Sequence, residues 1–223
     1  KGVAAHAGGS PWNGKNALYA ANCGINAINA IRETFKESDI IRVHPIITNG
    51  GAMVNAIPES TVLESYVRGK TIDGICNANK KVNQALIGAA LSLGTNVDIT
   101  DISGYAPLVN DDNMIDVASE AAKLAIPEYD FKVSDEIKSF STDMGDLSCI
   151  MPVVHPYAGG AGGKLHGNNY EIKDSVAACV ASAKMQLGML LILLSDGAKR
   201  AKMVIDEFKP IFASKEEYIS YMQ

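Results

Sequence analysis

Cysteine is scarce and scattered: Cys23, Cys76, Cys149 and Cys179 are the four in 223 residues, and no two form a Cys-x-x-Cys pair. This spacing fits buried thiols in a reducing compartment better than a zinc knuckle or a disulfide framework, so a cytoplasmic protein is expected. A basic excess is missing as well. The net charge is −5, the pI is near 5.4, and no window is rich in both Lys/Arg and aromatics, so nucleic acid is not an expected partner. Long apolar runs are also lacking. The strongest, 185–194, has about half the roughly 20 residues of a membrane-spanning helix; it reads as a core helix, and no membrane partner is expected. Lys1 stands where an initiator Met would, and a strand-like stretch at 2–7 begins without lead-in. The chain therefore reads as the C-terminal part of something larger.

The remaining composition, 47% hydrophobic and 20% charged, is ordinary for a globular chain and permits one large or two small domains. Leu18, Ala21, Ile25, Ile28, Ile31 and Phe35 recur three or four apart, which predicts an amphipathic helix within 14–36, started by Asn13 and Gly14. β-Branched and alternating residues predict strands at 40–47 and 60–68, with Asn49-Gly50-Gly51 turning the chain between them. A second helix runs from Thr71, as N-cap, to a stop at Gly94, and 97–102 reads as a strand. The order strand, helix, strand, strand, helix, strand is that of a ferredoxin-like βαββαβ domain. After Pro107 come a helix at 112–124, a glycine-rich region at 142–167, and helices at 174–194 and 198–212. Helices with so little sheet fit the closing portion of an α/β domain whose first strands lie elsewhere. The expected domains are 1–108 and 109–223, and the class is α/β.

Several side chains could carry chemistry. His6 sits among small neighbours that let a ligand approach its imidazole. With Asn55 and Arg68 it offers an oxyanion donor, an amide donor and a planar guanidinium fork, a set suited to an anionic substrate. His166 follows a glycine-rich loop and is the best metal candidate, although catalytic zinc takes about three protein ligands. The loop 158–164 lacks the first glycine of a P-loop, Ala158 standing there, and has Leu165 where Ser or Thr would hold magnesium. It is not a P-loop. Backbone N–H groups at Gly160 or Gly162 remain candidates for contact with a substrate carboxylate. Asp143 and Asp146 read as structural, His155 as a packed histidine and His44 as a strand residue.

These motifs resemble a known family. The stretch Gly2-Val-Ala-Ala-His-Ala-Gly-Gly-Ser-Pro-Trp-Asn-Gly, then Gly50-Gly-x-x-x-Asn-x-Ile-Pro58, then Val67-Arg68 is similar to the lid domain of M20-family metallo-amidohydrolases. Arg42-Val-His-Pro45 and Ser141-Thr-Asp-Met-Gly-Asp146 narrow the likeness to the branch of p-aminobenzoyl-glutamate hydrolase and the aminoacylase-1-like dipeptidases. The resemblance implies that His6 reaches across a dimer to the neighbouring active site and stabilises the tetrahedral oxyanion. It also implies that Asn55 and Arg68 hold the substrate carboxylate and that His166 is a metal ligand. A zinc or manganese pair and a homodimer formed through the lid follow from the same likeness. The other metal ligands and the general base would lie in an N-terminal half absent from this chain.

The resulting expectation is a metal-dependent amidohydrolase in the full-length protein, cleaving an N-acyl amino acid, p-aminobenzoyl-glutamate or a dipeptide with a free carboxylate. The chain alone is expected to be inactive. The alternative is a non-catalytic fragment that dimerises and binds a small anion.

Overall fold

The computed structural model describes residues 1–134 and 141–222. The chain forms two compact units, Lys1–Pro107 and Leu108–Gln223.

In the first unit, helix α1 (Ala17–Ile31) begins where the Asn16 side chain accepts a hydrogen bond from the Tyr19 N–H. Asn16 is therefore the cap, in place of the Gly14 and Asn13 expected from sequence, because its side-chain oxygen can satisfy an N–H that the first turn leaves free. Strand β1 (Arg42–Asn49) pairs antiparallel with β2 (Val62–Arg68), His44 lying opposite Tyr66 and Arg42 opposite Arg68. β1 starts two residues later than expected, since Ile40 adopts a left-handed φ of 49° that breaks the extension. Helix α2 (Ile72–Ser92) is capped by Thr71, whose hydroxyl accepts from the Gly74 N–H, and stops at Gly94 with φ of 65°.

The core of this unit is Ile28, Val43 and Val82, with Val67, Phe35 and Leu86 packed around them. It lies between the hairpin and the two helices. α1 and α2 approach closely because position 24 is glycine: a Cβ there would stand 2.8 Å from Leu86 Cδ2.

The two outer strands expected from sequence are not regular strands. Residues 2–7 make isolated bridges, Val3 to Lys15 and His6 to Ala56, and 97–102 forms no strand. Alanine and glycine, which suit a pleated, half-buried surface poorly, dominate the first stretch; the second has Val97, Ile99, Thr100 and Ile102 but pairs with no strand among the described residues.

The second unit is mainly helical. Helix α3 (Asp112–Ala125), capped by the Asp111 side chain, packs on α5 (Ser182–Glu207). A short α4 (Asp143–Ser148), a two-residue β3–β4 hairpin (Ala161–Gly162 with Glu171–Ile172) and a terminal α6 (Lys215–Met222) complete it. A π-helical stretch, Val176–Ala181, leads into α5, and non-helical backbone at Ser195, Asp196, Gly197 and Ala198 divides α5 in two.

The apolar run is longer than the sequence predicts. Val176–Glu207 is long and apolar enough, by length and composition, to cross a membrane. Only one face of it behaves as a core helix: Met185 and Gly188 are buried, whereas Leu187, Leu190, Leu191 and Leu194 are exposed.

Candidate active site

His6 is placed by backbone pairing between two segments distant in sequence. The Ala7 N–H donates to Asn55 O at 2.9 Å, the Ile57 N–H to Ala5 O at 2.9 Å, and the Gly2 N–H to Glu59 O at 2.7 Å. His6 and Asn55 thus occupy neighbouring rungs of one antiparallel ladder. The segment 55–59 reaches this position through a tight turn: Asn49 Oδ1 accepts from the Gly51 N–H, and Gly51 has φ of 130° with Pro58 against it. A Cβ at Gly51 would lie 2.9 Å from Pro58 Cγ, so glycine is needed on both counts.

The His6 side chain is exposed, and its Nδ1 accepts hydrogen bonds from the backbone N–H groups of Gly8 at 3.2 Å and Gly9 at 2.9 Å. The Asn55 side chain is exposed too, and its amide has no hydrogen-bond partner among the described residues.

Arg68 closes β2 at the end away from the turn. Six extended residues beyond Val62 correspond to about 20 Å of strand. Its guanidinium carbon lies 4.5 Å from the centre of the Tyr66 ring, on the same face of the hairpin, and His44 stacks on Tyr66 with ring centres 5.8 Å apart. Among the described residues the Arg68 fork donates no hydrogen bond and meets no carboxylate. The structure therefore brings His6 and Asn55 together and holds Arg68 on a separate aromatic support, with no direct bond between Arg68 and the other two.

In the second unit His166 is exposed in the turn 164–167, which is closed by the Gly167 N–H donating to Lys164 O at 2.7 Å. Its φ of 62° is left-handed, a region that histidine enters more readily than most side chains. No group of three His, Cys, Asp or Glu side chains converges among the described residues. His166 alone does not make a metal centre.

Gly160 and Gly162 serve the hairpin that precedes α5. Gly160 O accepts from the N–H groups of Lys173 and Asp174, a Cβ at Gly160 would lie 2.4 Å from Asp174 O, and Gly162 pairs with Glu171. His155 packs edge-on against Tyr157. Asp146 is hydrogen-bonded to the Tyr218 hydroxyl, and burial together with this bond holds the phenol well above its ordinary range.

Two features go beyond the sequence reading. Tyr66 beneath Arg68 follows from the period-two alternation, which puts residues 66 and 68 on one face. Gly8 and Gly9 count in the sequence only as small neighbours of His6, and nothing in their spacing shows that their amides meet its ring.

No family model matches the chain. It is 32% identical over 161 residues to Xaa-Arg dipeptidase of Mus musculus, covering 70% of this chain and 36% of that protein. It is 28% identical over 150 residues to a p-aminobenzoyl-glutamate hydrolase homolog of Haemophilus influenzae, covering 64% of this chain and 33% of that protein. The chain thus spans about a third of the length of these curated relatives. In fold it resembles a putative aminohydrolase from methicillin-resistant Staphylococcus aureus, with a TM-score of 0.60, 18% identity, and coverage of 86% of this chain and 50% of that one. The architecture is accordingly of the mixed helix-and-sheet kind found in that aminohydrolase. The chain belongs to the M20 family of amidohydrolases.

Proposed function

We propose that the complete protein is a metal-dependent amidohydrolase that cleaves the amide of a dipeptide or N-acyl amino acid bearing a free α-carboxylate. The carrying observation is the backbone pairing that sets His6 and Asn55 on neighbouring rungs, with both side chains exposed. His6 donates to the oxyanion that develops at the scissile carbonyl, where a positioned donor matters most in the transition state. Arg68, steadied by Tyr66, takes the carboxylate through its two-pronged fork, and Asn55 donates to a neighbouring oxygen.

The relatives' names support the carboxylate as the recognised feature. An Xaa-Arg dipeptide ends in a basic residue and p-aminobenzoyl-glutamate in an acidic one, so the α-carboxylate is the charged group they share.

The same reading makes residues 1–108 a ferredoxin-like lid through which the protein forms a homodimer, and 109–223 the C-terminal portion of the catalytic domain. His6 would act on the substrate bound by the other copy. A zinc or manganese pair would take His166 as one ligand, with the others from elsewhere in the complete protein. A cytoplasmic location, without a membrane or nucleic-acid partner, completes the proposal.

Two measurements test it. Hydrolysis by the complete gene product should fall at least about 100-fold in kcat/KM when the substrate's α-carboxylate is converted to an amide, the loss expected for a charge-assisted pair of roughly 2–3 kcal/mol. Equal cleavage of both substrates removes the carboxylate clamp. Arg68→Ala should reproduce that loss mainly through KM, whereas His6→Ala should act mainly through kcat. An Arg68→Ala enzyme with unchanged kinetics reduces Arg68 to a strand-end charge.

A further inference from the structure

The geometry points to Gly8 and Gly9 as positioning residues that lock His6 in the tautomer with the proton on Nε2, a proposal that rests on the reading of His6 as an oxyanion donor. A neutral imidazole carries one proton on two nitrogens, and the nitrogen that accepts a hydrogen bond cannot carry it. Here Nδ1 accepts from two backbone amides at once, at 3.2 Å from Gly8 and 2.9 Å from Gly9. Backbone amides never act as acceptors through nitrogen. An Nδ1–H tautomer would therefore face two N–H groups with a third, so the proton is confined to Nε2.

The turn that delivers these amides is local and compact. The Ser10 N–H donates to His6 O at 3.0 Å, which folds 7–9 back over the ring. Glycine permits this closeness at position 9, where a Cβ would stand 3.3 Å from His6 Nδ1, tighter than ordinary contact. The imidazole is thereby given its orientation and its donor before any substrate arrives. It also loses the ability to ligate a cation through Nδ1, which separates His6 from a metal-binding role.

Nitrogen-15 NMR of the full chain, labelled at histidine and recorded above the imidazole titration, reads the tautomer directly from the shifts of the two ring nitrogens. For His6 the expected spectrum has one protonated, pyrrole-type Nε2 and one unprotonated, pyridine-type Nδ1. Signals averaged between the tautomers, or a protonated Nδ1, overturn the lock in the wild-type chain without any mutation. In Gly9→Pro, which removes the shorter donor, the ratio of tautomers should relax by about tenfold, the factor worth about 1.4 kcal/mol, or one net hydrogen bond. The signals of His44, His155 and His166 in the same spectrum report whether the fold has survived. An unchanged His6 spectrum in a folded Gly9→Pro chain also sinks the proposal. Because the readout needs no turnover, a wrong assignment of the reaction leaves the tautomer result standing, and the reverse holds as well.

Discussion

The two units bury similar mixtures of alanine and larger apolar side chains but differ in what one long helix leaves exposed. In the first, the large residues Ile28, Val43 and Val82 are inside, and a glycine, Gly24, lets the helices close over them. In the second, Ala118, Ala121, Ala122, Ile126, Ala181 and Met185 form the core, while Leu187, Leu190, Leu191 and Leu194 face outward. The second carries a contiguous apolar surface of a kind that soluble monomers seldom show.

The largest expected difference is in the cost of truncation. Ile28→Ala, at a fully buried site, should destabilise the first unit by about 2–5 kcal/mol. Leu191→Ala, at a residue 60% exposed, should change stability by less than about 0.5 kcal/mol. Urea unfolding of both variants decides it, and equal costs would erase the contrast.

Next in size is self-association. Leu190→Glu combined with Leu194→Glu should weaken association beyond the dimer formed through residues 1–108 at least about tenfold, or roughly 1.4 kcal/mol, as followed by light scattering against concentration. The same double change leaving association intact would move the sticky surface elsewhere.

The smallest effect is on pH dependence. Burial, and secondly the Asp146 carboxylate, raise the Cys149 thiol above its ordinary value of 9.0. A raised folded pKa means that the stabilising contribution is complete below the unfolded value and is lost as pH climbs through the folded one. The second unit should thus weaken above about pH 9, with a slope no steeper than about 1.4 kcal/mol per pH unit, the value for one proton. Cys149→Ala should flatten that slope, and the raised Tyr218 phenol adds a loss of the same sign at higher pH. An unaltered alkaline slope in Cys149→Ala assigns it to other groups.

Legibility in the sequence followed the same division. Periodicity located α1, α2 and α3 and the β1–β2 hairpin, because each has one side against a core within its own unit. It overread 2–7, which pairs only through isolated bridges, and 97–102, whose β-branched residues find no strand partner among the described residues. It placed the helix at 174–194 but took its apolar run for core, because an apolar helix exposed on one side has the same composition as a buried one. For the site, residue types named the candidates, but no periodicity could show that His6 and Asn55 share a ladder; that pairing joins segments whose local patterns are unrelated. The Tyr66 support for Arg68 was available from alternation along β2. The isolation of His166 was not, since convergence of ligands is a property of the fold.

The pairing of 2–7 with 55–59 also has a kinetic side. α1 and α2 form from local contacts, on about the microsecond scale of single helices. Joining Ala7 to Asn55 requires closing a loop of about 50 residues, at an entropic cost of about 3.5 kcal/mol before any contact compensates. The first unit can consequently be rich in helix while His6 and Asn55 are still apart. Its amides at Ala7 and Ile57 should gain protection from hydrogen exchange later in refolding than those of the helices, so the moment at which the chain becomes competent is set by loop closure and not by helix content.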